Sequence, residues 1–123
     1  MNFNKLIGQV ALSFMQAWIN KDFKVMMSFF ANDIIFESAL IAKIYLKNDQ
    51  TKLYGPSDVI EYFKTVTIIS PTYDYDIDNA QFIKKEKVIH MHLVCKLTQK
   101  QINIKYELNE YGKFKYLSIE SIV

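Results

Sequence analysis

Few side chains in this sequence could do acid–base or metal chemistry, and the two histidines are the first of them. His90 and His92 are separated by one residue, so both imidazoles project from the same side of a β-strand. The hairpin register predicted below places His92 opposite Glu107, which makes an acid–base or metal-binding pair one interpretation. Cys95 points to the other face, so no third ligand is evident. The alternative, which we favour, is a surface or dimer-interface pair.

Acidic side chains supply the second candidate for proton transfer. Asp76 and Asp78 alternate with Tyr75 and Ile77, and this pattern sends the tyrosine inward and the acids to solvent. A two-residue turn at Lys85–Glu86, counted back without a bulge, would instead turn both acids inward. An inward acid beside Tyr106, its pKa raised by burial, would be a candidate general base. A bulge near Asn79–Ala80 would reconcile the two patterns and return the acids to solvent.

The charged residues exclude several classes of function. All fifteen basic residues are lysines, so no mechanism that needs a guanidinium group is open to this chain. The lysines are scattered and the net charge is only +2, which argues against a nucleic-acid partner. The single cysteine, Cys95, allows no internal disulfide, and we predict neither a metal nor a cofactor. No leader-like segment and no apolar run of ~20 residues is evident, so we expect a cytoplasmic protein without a membrane partner.

Hydrophobic periodicity predicts helices in the first half of the chain. Apolar residues recur at helical spacing from Leu6 to Trp18, and Asp22 is placed to cap a short second helix that extends through Phe30. Gly55–Pro56 begins a third helix. The predicted buried stripe of this helix is Val59, Phe63 and Val66. Between the second and third helices, residues 39–46 are rich in β-formers, and a polar turn cluster at 47–50 then predicts a β-hairpin over 39–53.

Strand alternation dominates the second half. The predicted hairpin from Val88 to Asn109 turns at Gln99–Lys100, so that every apolar residue meets an apolar one. The predicted pairs are Leu97 with Ile102, Cys95 with Ile104, Leu93 with Tyr106, and Met91 with Leu108. A second turn at Tyr111–Gly112 places Leu117 opposite Tyr106 and Ile119 opposite Ile104. The sequence therefore predicts one α+β domain over residues 1–123, with three helices across the concave face of a curved antiparallel sheet.

Three segments in this order resemble the nuclear transport factor 2-like superfamily, especially its SnoaL-like and ketosteroid-isomerase-like branches. They are a first helix that ends in a turn and an aspartate, a helix end that runs into the first strand, and a glycine-led third helix. Their ranges are Phe14–Asp22, Phe29–Glu37 and Tyr54–Phe63. The resemblance covers nearly the whole chain. It implies a cone whose open end leads to a pocket for a small, largely apolar molecule, and it leaves the reaction unassigned.

This chain lacks the catalytic residues of the families that it resembles. At the positions where steroid isomerases have a tyrosine, an aspartate base and a second acid, this chain has Phe14, Ser38 and Tyr106. The limonene epoxide hydrolase branch needs an arginine, which this chain lacks. The dehydratases of this fold use a pocket histidine, but His90 and His92 have the wrong strand parity. If the protein is an enzyme, Tyr106 with Ser38 would polarise a carbonyl, and Asp76 or Asp78 would be the base.

Two hypotheses follow for the function. In the first, a small apolar ligand occupies a pocket whose polar groups come from Ser38, Tyr54 and Tyr106, although the same aromatic residues could simply fill the cone. The predicted pocket residues are Phe14, Trp18, Phe36, Ser38, Tyr54, Phe63, Met91, Leu93, Cys95, Tyr106 and Leu117. In the second, the chain is a homodimeric interaction module that uses its convex sheet. The predicted dimer face is Val88, His90, His92, Val94, Lys105 and Glu107.

Overall fold

The helical spacing of the first apolar residues produces α1, Lys5–Ile19, and a short turn leads from it to α2, Phe23–Ser28. The Asp22 carboxylate accepts a hydrogen bond from the backbone N of Val25 at 3.2 Å, which caps α2 as predicted. The computed structural model describes residues 5–46, 49–69, 75–96 and 98–122.

The second helix is shorter than expected, because Phe30 already belongs to a strand. This strand, β1, spans Phe30–Glu37, and its inward residues Ile34 and Phe36 are fully buried. The predicted helix-to-strand transition is therefore confirmed, with its boundary moved toward the N-terminus.

The predicted β-hairpin over residues 39–53 is wrong, because its first arm is a helix. This helix, α3, spans Leu40–Tyr45, and only the short strand β2, Lys52–Tyr54, pairs antiparallel with β1. Ile41 is fully buried while Ile44 packs against the core, a spacing of three that suits a helix. Packing of this face outweighs the β-rich composition. Of the predicted turn residues, Lys47 and Asn48 lie outside the described part of the chain.

The long helix of the middle of the chain, α4, begins as predicted at Pro56 and runs to Ile69. Gly55 precedes it with φ +86°, a backbone conformation that glycine adopts without steric cost. The predicted stripe of Val59, Phe63 and Val66 is buried. Because α3 lies between β1 and β2, the described chain has one more α-helix than the three predicted.

One six-stranded sheet carries these helices. Its remaining strands are β3 (Gln81–Lys85), β4 (Val88–Val94), β5 (Gln101–Leu108) and β6 (Phe114–Ile122), and the spatial order is β2-β1-β6-β5-β4-β3. The β1–β6 pair is parallel, whereas every other pair is antiparallel. Since strands from both halves of the chain share the sheet and the helices pack on one side of it, the predicted α+β class is confirmed.

The predicted pairing of β4 with β5 is wrong by four positions along β5. Met91 pairs with Ile104 rather than Leu108, and Leu93 pairs with Ile102 rather than Tyr106. A longer connection causes the shift: the backbone N of Cys95 donates to the carbonyl of Lys100 at 2.8 Å, which leaves no two-residue turn. The shift is even, so every side chain keeps its predicted face. The predicted partner Leu97 lies outside the described residues.

The pairing of β5 with β6 follows the prediction. Leu117 lies opposite Tyr106 and Ile119 lies opposite Ile104. The connecting turn is closed by a 2.8 Å hydrogen bond from Asn109 N to the carbonyl of Lys113. These strands form the apolar meander that the alternation predicted.

Aromatic rings fill the narrow part of the core, where α1 and α4 meet the sheet. Phe14 makes edge-to-face contacts with Phe63 at 5.7 Å and with Phe114 at 5.2 Å between ring centroids. Trp18 contacts Phe63 in the same geometry at 4.9 Å. Such pairs contribute about 0.5–1.5 kcal/mol each beyond the area that they bury. The ring cluster therefore fixes α1 and α4 against the sheet.

Candidate functional site

A cavity of about 490 Å³ lies between α3, α4 and the end of the sheet where β4 gives way to β5. Most of the described lining is aliphatic or aromatic, and it also includes the small polar residue Ser38 and three charged side chains. The lining residues are Trp18, Ser38, Ala39, Leu40, Lys43, Tyr62, Val66, Tyr75, Cys95, Lys100, Ile102, Ile119 and Glu120. This size and composition are typical of a site for a small, largely apolar molecule.

Two hydroxyl groups form the buried polar part of the cavity. Ser38 follows β1 directly and is only 5% exposed, and its Oγ accepts a hydrogen bond from the backbone N of Leu40 at 3.3 Å. The Tyr62 hydroxyl, from α4, lies 3.5 Å from the same oxygen. A ligand carbonyl or hydroxyl beside them would find hydrogen-bonding groups in otherwise apolar surroundings.

Charged side chains in the lining come from three different elements. Lys43 lies on α3, Lys100 lies in the β4–β5 connection, and both side chains are exposed. The third, Glu120 on β6, has its carboxylate 3.9 Å from the Lys105 ammonium. The charges therefore lie toward solvent, whereas the hydroxyls lie inside.

Three of the predicted pocket residues line this cavity, namely Trp18, Ser38 and Cys95. The others are buried inside the core or lie elsewhere. Those within the core are Phe14, Phe36, Phe63, Met91, Leu93, Tyr106 and Leu117. These seven side chains belong to the buried core, and none of them is among the residues that line the cavity.

The predicted Tyr106–Ser38 pair is not brought together. The Tyr106 hydroxyl donates to the backbone carbonyl of Ile7 in α1 at 3.1 Å, and the residue is fully buried. Burial raises the pKa of Tyr106 well above its ordinary value, so the hydroxyl stays protonated. Tyr54 also departs from the prediction, because it is 63% exposed on β2 and lies outside the cavity. Neither tyrosine lines the cavity.

The aspartates considered as bases do not face the cavity either. A 3₁₀ turn at Ile77–Asn79 interrupts the extended chain, and the following hairpin turns at Glu86–Lys87 rather than at Lys85–Glu86. Asp76 accepts a hydrogen bond from the Asn79 side chain at 2.7 Å, while Asp78 is exposed. The turn takes the place of the predicted bulge near Asn79–Ala80. Tyr75, the buried residue just before it, faces inward as the alternation predicted.

The predicted dimer face lies together on the side of the sheet away from the helices. Its members alternate with buried core residues along β4 and β5, and all of them are half-buried. They are Val88, His90, His92, Val94, Lys105 and Glu107. His92 lies opposite Asn103 and not opposite Glu107, because of the register shift. The acid–base or metal-binding pair proposed for His92 and Glu107 is therefore not formed.

The environment of His90 is basic. Partial burial lowers its pKa first, and the positive charges of Lys85, Lys105 and His92 lower it further. Asn103, whose Nδ2 lies 3.4 Å from His90 Nδ1, opposes this effect. Within the described residues, no group of three or more histidine, cysteine or acidic side chains could hold a metal ion.

Several lining residues were missed by sequence reasoning. Tyr62 is the most informative, because Val59, Tyr62 and Val66 follow helical spacing and could have been placed on one face of α4. Tyr75 was predicted to point inward but was not assigned to the pocket. Lys43 and Lys100 were beyond prediction, because the first required α3 and the second required the longer β4–β5 connection.

Comparison with known proteins identifies relatives by structure only. No protein-family model matches the sequence, and no curated protein matches it. Across the part of the chain that the structure describes, no helix has the length and apolar character needed to cross a membrane.

Three solved structures illustrate the structural likeness. A SnoaL-like protein of unknown function from Burkholderia thailandensis matches with a TM-score of 0.80 at 12% identity, covering 100% of both chains. A de novo designed protein with a curved β-sheet matches with a TM-score of 0.71 at 9% identity, covering 98% of this chain and 88% of its own. A candidate polyketide cyclase from Xanthomonas campestris pv. campestris matches with a TM-score of 0.65 at 10% identity, over 94% and 90% of the two chains. At identities this low, the similarity shows a shared fold and does not indicate the ligand or the reaction of this chain.

Proposed function

Since the chain has the nuclear transport factor 2-like fold of the SnoaL-like proteins, we propose that it binds a small, largely apolar molecule in the cavity beside Trp18. The carrying observation is the cavity itself: about 490 Å³ of space, lined mostly by apolar side chains and bordered by residues of the core. Apolar walls of this extent favour a ligand that removes them from water.

The chemistry of the walls supports binding rather than a particular reaction. Trp18, Tyr62 and Tyr75 offer flat apolar surfaces, and Ile102 adds an aliphatic one. Ser38, with the Tyr62 hydroxyl beside it, is a buried polar group of the lining and can orient a ligand by a hydrogen bond. Among the described lining residues there is no imidazole, and the one carboxylate, that of Glu120, is exposed.

A titration with a neutral apolar probe tests this proposal. N-phenyl-1-naphthylamine, which fluoresces in apolar surroundings, should bind saturably with one site per chain. A double variant, Val66→Phe with Ile102→Phe, fills the cavity from two walls and should abolish the signal. Ile68→Phe adds the same ring at an 80% exposed position of the same helix and should leave binding unchanged. Equal binding by the filled variant would contradict the proposal.

A second candidate function is a homodimeric interaction module, and one observation favours it. The half-buried face of Val88, His90 and Val94 is covered by no helix of the described chain, because the helices pack against the opposite side of the sheet. Two copies could pair this face isologously. Sedimentation equilibrium should then give a dimer, and Val94→Lys should convert it to a monomer. A monomer at all concentrations would rule out this function and leave the ligand site unaffected.

A further inference from the structure

We infer that the ligand of the cavity is an organic anion with an apolar body, and that Lys43 and Lys100 bind its anionic group. This inference rests on the proposed function and names the class of molecule that the site takes. It is drawn from the positions of the charged side chains around the cavity, because the apolar interior alone does not indicate the charge of the ligand.

The two lysines come from different elements of the cavity lining. Lys43 lies one turn after Leu40 and Ala39 on α3, and all three residues line the same wall. Lys100 is held by its backbone, because its carbonyl accepts from Cys95 N at 2.8 Å and its own N donates to Thr98 Oγ1 at 3.2 Å. Each flexible side chain therefore starts from a fixed point of the cavity wall.

The described residues include no ion-pair partner for either of these lysines, Lys43 and Lys100. Among the described lining residues the one carboxylate belongs to Glu120, which lies 3.9 Å from the Lys105 ammonium. Over these residues positive charge therefore exceeds negative charge, which attracts an anion and repels a cation.

Burial determines which part of the ligand goes where. A charge transferred fully into the interior beside Trp18 would lose its hydration at a high cost in free energy. Lys43 and Lys100 are exposed, so an anionic group beside them keeps part of its water while the apolar body fills the cavity. An amphipathic anion satisfies both conditions at once.

Because the chain has no arginine, the site should accept more than one kind of anionic group. Lysine ammonium groups act as point charges, whereas a guanidinium would select planar carboxylates by paired hydrogen bonds. The site should therefore accept a carboxylate, a sulfonate or a phosphate on a suitable apolar body.

A matched pair of probes tests the inference. N-phenyl-1-naphthylamine and 8-anilino-1-naphthalenesulfonate share one apolar skeleton and differ in the sulfonate. The anion should bind more tightly than the neutral probe. Lys43→Gln and Lys100→Gln should each weaken binding of the anion by about threefold, the typical contribution of an exposed charge pair. Neither variant should change binding of the neutral probe.

Lys24→Gln is the matched control, because Lys24 is exposed on α2 and does not line the cavity. It should leave both affinities unchanged, and added salt should weaken only the anion. If the neutral probe binds and the anion binds no more tightly, or is insensitive to Lys43 and Lys100, the inference is wrong and the proposed function stands. If neither probe binds, both are wrong.

Discussion

The hydroxyl of Tyr62 lies 3.5 Å from the hydroxyl of Ser38, although one belongs to α4 and the other follows β1. This contact places the interior polar group of the cavity between a helix and the sheet. It also replaces the tyrosine expected from the sequence, since Tyr106 is bound to the backbone of α1 instead.

Removing the Ser38 hydroxyl should destabilise the protein modestly. In Ser38→Ala, the backbone N of Leu40 and the Tyr62 hydroxyl lose a buried partner, which costs about 1 kcal/mol in the free energy of unfolding. Urea denaturation measures the change. Ser57→Ala, at an exposed position, is the control and should fall within about 0.5 kcal/mol of the wild type. Equal stability of the two variants would contradict the buried contact.

Tyr106→Phe should separate a structural role from a role in the ligand site. The hydroxyl donates to the carbonyl of Ile7 at 3.1 Å, so its loss should lower the free energy of unfolding by about 1 kcal/mol. Affinity for N-phenyl-1-naphthylamine should not change, because Tyr106 does not line the cavity. A weakened affinity with unchanged stability would return Tyr106 to the site predicted from the sequence.

The ring cluster should contribute more to stability than any hydrogen bond of the site. Phe63 is fully buried against Phe14, Trp18 and Phe36. Phe63→Ala should therefore cost about 3–5 kcal/mol, as large-to-small changes of buried aromatic residues do. Ile68→Ala, on the exposed side of the same helix, should cost far less. Similar losses for both variants in urea denaturation would contradict the packing described.

Stability should decrease in mild acid through His90. Its pKa is lower in the folded protein, because of partial burial and then the charges of Lys85 and Lys105, so the unfolded chain binds the proton more readily. The contribution of His90 is complete above its ordinary pKa of about 6.5 and is lost as the pH falls toward the folded value. His90→Asn should reduce the pH dependence of the free energy of unfolding in this window. An unchanged dependence would show that His90 does not cause it.

The alternation of apolar and polar residues predicted which face each strand residue occupies. These faces are correct although the predicted pairing of β4 with β5 is wrong. Met91 and Leu93 are buried and His90 and His92 lie on the opposite face, because a shift by an even number of residues preserves the faces. The pairing itself depends on the β4–β5 connection. In this connection Gln99 has φ +59°, a left-handed conformation that is uncommon for residues other than glycine and that the residue type does not predict.

The cavity was predictable in kind but not in composition. Trp18 and Ser38 were assigned to it from the order of elements, whereas Lys43 depends on a short helix whose residues favour strands when taken locally. The Ser38–Tyr62 contact joins residues 24 positions apart, and helical spacing gives the face of Tyr62 but not its partner. Such long-range contacts follow from packing, which local patterns do not determine.

The central claim is that a small apolar molecule occupies the space beside Trp18, and energy transfer tests it most directly. Trp18 is the only tryptophan of the chain and lines the cavity, so its excitation reports on one place. With N-phenyl-1-naphthylamine, tryptophan emission should fall and probe emission should rise together, saturating at one probe per chain. The Val66→Phe and Ile102→Phe double variant should abolish both changes. Probe binding without energy transfer from Trp18, or undiminished transfer in the filled variant, would contradict the claim.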